Sequence, residues 1–210
     1  MQVSQRGETP AEHSFTGAAR RAQIIAATVE TIAELGYGQA SFARIAERAG
    51  LSSTRLISYH FAGKDELMSA AVAEFHDHIG RFMAGRMAGV TCARDALRTY
   101  ITALVAYIAD NRPRMRAMME IFLNFRDEGG ASRSYDEGDE NEVLGHLQRI
   151  LRDGQRGGEF RDFDTFVMAA TVQRALDGLP FLLEARPDLD LTACAEELVT
   201  LFDLATRSGP

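Results

Sequence analysis

The feature that most constrains the fold is the stretch from Ser41 to Leu67, SFARIAERAGLSSTRLISYHFAGKDEL, which predicts two short helices, a tight turn between them and the start of a third helix. Gly50 supplies the backbone freedom that a sharp turn requires, and Leu51 fills its corner. Ser52 or Ser53 is expected to cap the second helix, because a short hydroxyl accepts from amides that lack an intrahelical partner. In the first helix, apolar side chains recur at i, i+3, i+4 and i+7 and share one face: Phe42, Ile45, Ala46 and Ala49.

The second helix has two different faces when its residues are placed at about 100° intervals. Arg55, Ser58 and Tyr59 point to one side, and Thr54 lies on the flank. A short helix that presents these donors has the shape to enter the major groove of DNA. An ordinary surface helix with a few polar residues is the alternative. The opposite, apolar side carries Leu56, Ile57, His60 and Phe61, which makes His60 a packed histidine rather than a base reader.

Spaced motifs surround the turn: Arg21-x-x-Ile24-Ile25, Gly36-Tyr37, Ile45-Ala46, Ala49-Gly50-Leu51-Ser52, Tyr59-His60-Phe61 and Lys64-x-x-Leu67. Together they resemble the DNA-binding region of the TetR family of bacterial transcriptional regulators, over roughly residues 18–70. The chain departs from the family at one point. The run from Ser52 to Phe61 is one residue longer than usual, which leaves open which of Ser53, Thr54 and Arg55 faces the groove.

The resemblance implies an all-α protein with a three-helix, helix-turn-helix DNA-binding domain over 16–63. A larger helical domain over 64–210 is expected to bind an effector and to dimerise. Residues 1–15 are polar and lack an apolar stretch, so we expect a disordered arm without a secretory signal. Four residues would read bases or position the helix, namely Thr54, Arg55, Ser58 and Tyr59. The other candidates for DNA contact are Ser41, Phe42, Ser53 and Lys64.

The net charge of −7 is unevenly distributed. Residues 16–64 carry six basic residues against three glutamates, a local excess that suits attraction to phosphate. Lys64 stands at a predicted helix start, where a cation opposes the helix dipole, and this favours a contact with a DNA phosphate. Arg20 and Arg21 fit either phosphate contact or simple solvated charge.

The rest of the chain is helical in pattern and predicts no strand. Gly157–Arg161 predicts a turn, and Pro180 should kink or interrupt its helix. A polar loop is expected over 127–141. The predicted helices cover 18–35, 64–87, 93–109, the segment that Pro113 opens, 142–155, the segment from Asp164, and 192–207.

The C-terminal body is rich in methionine and aromatic residues. Such residues usually form plain core, but methionine also fills adaptable pockets. The resemblance implies a small-molecule effector, which we expect to be largely apolar. Glu120 and Asp177 lie on apolar segments and suit either a cationic ligand or a solvated helix face. The candidate pocket residues are Phe75, Phe82, Met83, Tyr107, Met118, Phe122 and Met168.

Catalytic patterns are missing: the chain has no G-x-S-x-G, no glycine-rich phosphate loop and no H-E-x-x-H. His76 and His78 are two residues apart on a helix and cannot chelate one metal, so we predict no metal, no cofactor and no enzyme activity. Cys92 and Cys194 are far apart in sequence, which favours the reducing cytoplasm. No run reaches the 18 or so apolar residues of a membrane span, so we expect no membrane contact.

The last two predicted helices are apolar over more than one face. Pairing with a second copy would bury them and would space two recognition helices for a palindromic DNA operator. The alternative is that they form the core of a monomer. Together with the resemblance, these helices lead us to expect a homodimeric, effector-released repressor. A transcriptional activator of the same fold, or a helical ligand carrier or enzyme, remains an alternative.

Overall fold

The computed structural model describes residues 10–126 and 137–208. Within these ranges the chain is all-α, as predicted, and an isolated β-bridge pairs Phe160 with Arg207. A 3₁₀ turn, Tyr37–Gln39, follows the first helix. The helices are α1 Pro10–Leu35, α2 Phe42–Arg48, α3 Arg55–His60, α4 Lys64–Met87, α5 Ala93–Asp110, α6 Arg112–Asn124, α7 Glu137–Arg156, α8 Thr165–Asp177, α9 Leu179–Ala185 and α10 Leu191–Thr206.

Two helices begin earlier than their apolar periodicity indicates. α1 begins at Pro10, within the stretch predicted as a disordered arm, since proline is well tolerated in a first helical turn. Residues 1–9 of that predicted arm lie outside the described residues. α7 begins at Glu137, so part of the polar segment 127–141 is helical, and 127–136 lie outside the described chain.

The buried residues form two apolar clusters. The first, here called the head core, joins α1, α2, α3 and the first half of α4. It also contains Met118, Ile121 and Phe125 from the region of α6, and Tyr107 from α5. Helix α6 therefore contributes side chains to the same core as the helix-turn-helix, although it lies far along the chain.

The second cluster, here called the body core, is built around α5 together with α7, α8, α9 and α10. The turn after α7 joins three of these helices. Glu159 accepts hydrogen bonds from the backbone N–H groups of Ala93 and Arg94, at 3.1 and 3.0 Å, and so caps the start of α5. Arg161 donates from Nε to the carbonyl oxygen of Ala205 at 2.9 Å, which fastens the end of α10.

The segment 165–185 is broken at Gly178 into α8 and α9, which confirms the interruption predicted at Pro180. Within the described chain, this segment is long enough and apolar enough to cross a membrane by length and composition. It is weak evidence for a membrane span, because a core helix passes the same test. Ala169, Val172 and Leu176 of α8 are buried in the body core.

Candidate nucleic-acid interface

The turn between α2 and α3 is a compact corner. Gly50 adopts a φ of 63°, a left-handed conformation that favours glycine, as its place in the turn predicted. The backbone N–H of Leu51 donates to the carbonyl oxygen of Ala46 at 2.8 Å and closes the end of α2. Gln23 of α1 donates from Nε2 to the carbonyl oxygen of Ala49 at 2.7 Å. The corner is thus fastened to the helix beneath it.

Helix α3 has the two faces that its sequence indicates. Arg55, Ser58 and Tyr59 are exposed, and the side chain of Tyr59 is 83% exposed. A large aromatic side chain held outward on a packed helix is available to a partner surface. The inner residues are buried or half-buried: Leu56, Ile57, His60 and Phe61.

The start of α3 lies within the run from Ser52 to Phe61. Helix α3 begins at Arg55, whose backbone N–H donates to the Ser53 hydroxyl at 3.1 Å. Of the two serines proposed as a cap, Ser53 therefore serves this end of the helix. Thr54 occupies the position before the helix without a side-chain hydrogen bond of this kind. Ser53 and Thr54 are both exposed, so the structure keeps both beside Arg55 on the outer surface.

Ser41 and Phe42 begin α2, and both serve the fold there. The Ser41 hydroxyl caps α2 by accepting from the backbone N–H of Arg44 at 3.4 Å. Phe42 is half-buried and packs against the head core. Their predicted contact with the DNA backbone remains a prediction, and Ser41 is the more exposed of the two.

Arg21 is engaged inside the head. Its Nη1 donates to the carbonyl oxygen of His60 at 2.7 Å, and its guanidinium lies 4.1 Å from the centre of the Phe61 ring. It also forms an ion pair with Glu66 at 3.4 Å. Hydrogen bonding from the backbone N–H of Ala62, with Arg21 nearby, holds the pKa of Glu66 below its usual value. Arg21 therefore connects α1 to the end of α3, a contact between distant segments that its sequence position alone did not show.

Lys64, the first residue of α4, also has partners within the protein. Its Nζ donates to the carbonyl oxygen of Tyr37 at 3.1 Å and lies 4.2 Å from the centre of the Tyr37 ring. Partial burial lowers the pKa of this lysine. A lysine has three N–H donors, so the contact with Tyr37 leaves donors available for a phosphate. The phosphate contact therefore remains a prediction.

An aromatic cluster lies between α4 and α5, within the head core. The ring of Tyr107 packs 6.2 Å from Phe75 and 5.3 Å from Phe82, and its hydroxyl lies 2.8 Å from Nδ1 of His78. Burial raises the pKa of Tyr107 to about 12, so this hydroxyl stays protonated. Met118 is buried in the same core. Four of the seven predicted pocket residues therefore come together here.

The other three predicted pocket residues lie elsewhere. Met83 and Met168 pack against the body core, and Phe122 is 42% exposed because Ile121 and Phe125 take the inner side of α6. Two open cavities, of about 280 and 260 Å³, are lined by none of the seven. One lies between α5 and α10, and the other lies between α6 and α9.

Glu120 and Asp177, considered as ligand groups or solvated residues, both bond within the protein. Glu120 accepts from the backbone N–H of Tyr37 at 3.1 Å. Asp177 accepts from Gln173 and Arg174 of its own helix, each at 2.7 Å. The sequence signal at Glu120 was an acid on an apolar helix, but Tyr37 as its partner was missed. No cluster of three potential metal ligands occurs among the described residues.

Comparison with known proteins agrees with this geometry. The family described as "Bacterial regulatory proteins, tetR family" matches residues 24–71, which contain the whole turn and α3. The regulator BetI 1 of Chromohalobacter salexigens is 43% identical over 83 residues, covering 39% of this chain and 41% of that protein. A TetR transcription regulator of Haloarcula marismortui shares the fold over 91% of this chain and 100% of its own, with a TM-score of 0.78 and 19% identity. Residues 24–71, which contain the helix-turn-helix, are therefore similar to the TetR family.

A second solved member of this fold is a regulator from Saccharomonospora viridis, determined in complex with choline. It has a TM-score of 0.80 and 18% identity, over 91% of this chain and 100% of that one. The likeness of both structures shows the fold alone. The first curated relatives, BetI proteins from several bacteria, are matched over about half their length, so the family evidence is strongest for the DNA-binding head. The proteins that this head resembles are DNA-binding regulators of transcription.

Proposed function

We propose that this protein is a TetR-family regulator that binds a palindromic operator as a homodimer, represses transcription there, and is released by a small-molecule effector. The observation that supports the DNA contact best is the exposed face of α3. Arg55, Ser58 and Tyr59 project from a helix whose other face is packed on the head core. Because this packing already fixes the position of α3, little conformational entropy is lost when the helix enters a major groove.

The proposed dimer surface lies on α8, α9 and α10. Monomeric proteins rarely expose several large apolar residues close together on successive helices without a partner. Six of the ten large hydrophobic residues that are exposed within the described chain belong to these three helices. They are Phe166, Val167, Phe181, Leu182, Leu201 and Leu204.

The dimer can be tested by placing a charge on that surface. Leu204→Glu, at a position 55% exposed in one copy, should fold as a monomer, because the side chain meets water there. Leu123→Glu, at a position 50% exposed on α6, is the matched control and should remain dimeric. Light scattering after size exclusion gives the mass of each. A wild type that is monomeric at micromolar concentration would contradict the proposed dimer.

The DNA function is tested by selecting bound fragments from a random double-stranded pool. A recovered palindrome would support operator binding and two-fold symmetry together. Recovery of unrelated fragments, lost at moderate salt, would contradict it, because nonspecific binding is mainly phosphate attraction. A reporter gene placed behind the selected site then separates a repressor from an activator by the sign of the change.

The effector is proposed to bind in the C-terminal helical domain, near the aromatic cluster of Phe75, Phe82 and Tyr107. Choline is a sensible first compound, because the S. viridis protein was solved with it and aromatic rings attract quaternary ammonium groups. A largely apolar compound is the expectation from the surrounding methionines. Release of the selected operator in a compound titration would support this part. The proposed setting is the bacterial cytoplasm, where the DNA is.

A further inference from the structure

Glu120 connects the C-terminal domain to the DNA-binding head through a single backbone group. It belongs to α6, and its Oε2 accepts from the backbone N–H of Tyr37, 83 residues earlier, at 3.1 Å. Tyr37 is the first residue of the 3₁₀ turn that leads from α1 to α2. The N–H groups at a helix start lack partners within the helix, so a carboxylate there satisfies an otherwise open donor.

Gly36 supplies the backbone conformation that this contact requires. Its φ of 81° lies in the left-handed region, which glycine adopts without strain, whereas a Cβ here would be in ordinary contact with the same carboxylate oxygen, at 3.6 Å. Its own N–H donates to the carbonyl oxygen of Ile32 at 2.9 Å, which ends α1. The chain therefore turns sharply at Gly36 and presents the N–H of Tyr37 to α6.

The other end of Tyr37 is held from the opposite direction. Its carbonyl oxygen accepts from Nζ of Lys64 at 3.1 Å, at the start of α4. Helix α4 follows the recognition helix α3 after a short connection. One residue is thus held by an anion from α6 at its N–H and by a cation from α4 at its carbonyl group. Hydrogen bonds with charged partners are stronger and more directional than neutral ones.

The packing around this bond makes α6 and the head move together. Ala117, Met118, Ile121 and Phe125 of the α6 region are buried in the head core with residues of α1. Such close packing favours discrete arrangements over continuous sliding. A shift of α6 would therefore reach the head through this core and through the bond between Glu120 and Tyr37.

We infer that Glu120 is a positioning residue for operator binding: by holding Tyr37 it sets the orientation of the head, and with it α3, relative to the C-terminal domain. The inference rests on the proposed function, because orientation matters only if two heads must meet two half-sites. Half-sites lie about one helical turn of DNA apart, so the separation of the two heads determines which spacing fits.

Three variants at residue 120 test the inference by changing the length and the acceptor of the side chain. Glu120→Ala removes the acceptor, and Glu120→Asp keeps the charge but is one methylene too short. Glu120→Gln retains an oxygen acceptor at the same reach and should restore binding. The control is Glu184→Ala, which removes a half-exposed carboxylate of α9 that forms a long ion pair with Arg116 of α6, at 3.8 Å. If the alanine variant folds poorly, the aspartate variant still tests whether the reach of the carboxylate matters.

The measurement is affinity for the selected operator and for versions with two base pairs inserted at its centre. The wild type should lose about tenfold or more on insertion, because both half-sites no longer fit at once. Glu120→Ala and Glu120→Asp should bind the native operator about fivefold or more weakly and discriminate less between the two spacings. Glu120→Gln should bind the native operator more tightly than Glu120→Ala and Glu120→Asp, and Glu184→Ala should match the wild type. A head that is merely less stable would lose affinity for both spacings equally.

Amide hydrogen exchange at Tyr37 gives a readout that is independent of DNA. Exchange there should accelerate in Glu120→Ala and Glu120→Asp, and remain slow in Glu120→Gln. Unchanged exchange in the alanine variant, or unchanged operator affinity and spacing preference, would overturn the inference. A wild type that selects no operator would instead refute the proposed function, and the exchange data would still show whether the bond exists.

Discussion

The ring of Phe160 lies directly over the backbone of Gly154, so that a Cβ at residue 154 would stand 2.1 Å from its Cδ2. The same Cβ would also lie 2.9 Å from Cβ of Ala93. The absence of a side chain at Gly154 is what lets α7, the start of α5 and the turn after α7 meet. Phe160 and Ala93 both belong to the body core.

Gly154→Ala should destabilise the protein by about 1–3 kcal/mol, because the added methyl group forces a buried ring and a helix apart. Gly145→Ala is the matched control on the same helix, where a Cβ would meet nothing within 4 Å. That variant should be neutral or more stable by up to about 1 kcal/mol, since alanine favours helix more than glycine does. Chemical denaturation measures both. Equal stabilities for the two variants would contradict the proposed contact.

Tyr59→Ala should weaken operator binding by about 1–3 kcal/mol if the ring contacts a base edge. The unfolding temperature should not change, because the side chain is 83% exposed and packs little against the protein. Tyr59→Phe separates the contribution of the ring from that of the hydroxyl. Fluorescence anisotropy with a labelled operator measures the affinities. Wild-type affinity in the alanine variant would remove Tyr59 from the interface.

Lys64→Ala should weaken binding and lower the salt dependence of log K by about one, the value for one phosphate contact. The variant should also be less stable, because the Tyr37 carbonyl group loses its partner. The salt slope distinguishes the two effects, since a stability loss does not change the number of phosphates contacted. Arg152→Ala on α7 is a control whose slope should remain that of the wild type. An unchanged slope for Lys64→Ala would restrict this lysine to a structural role.

Stability should fall as the pH is lowered below about 6.5, through His146. Burial, with Arg149 nearby, lowers the pKa of His146 in the folded state. Below its ordinary pKa the unfolded chain takes up a proton that the folded chain resists, so protonation favours unfolding. Above that pH both states are neutral and this contribution is constant.

His146→Gln should reduce the loss of thermal stability between pH 7 and pH 5. Glu66, Glu159 and Asp203 also have lowered pKa values, but they are expected to cost stability only below about pH 4.5, so the two pH ranges are separate. Scanning calorimetry at several pH values measures the effect. Identical pH profiles for wild type and variant would exclude His146 as the group responsible.

The sequence by itself determined most of the helices and the faces of α3. Periodicity is a local property, and the burial of Ile57 and Phe61 beside an exposed Tyr59 follows from it. The turn at Gly50 could also be predicted from the sequence, because few residues other than glycine adopt its left-handed conformation. The starts of α1 and α7 could not be predicted, because their first turns are polar and show no apolar periodicity.

Only the tertiary structure decided which charged residues serve the fold. The sequence left Arg21 open between phosphate contact and solvated charge and favoured phosphate contact for Lys64. In the structure Arg21 bonds the end of α3 and Lys64 bonds the Tyr37 carbonyl group. Glu120 looked like a ligand group or a solvated acid, and it holds the N–H of Tyr37. These partners lie 39, 27 and 83 residues apart along the chain. Spacing along one helix cannot encode such pairs, because they form only when the packing of several helices brings their ends together.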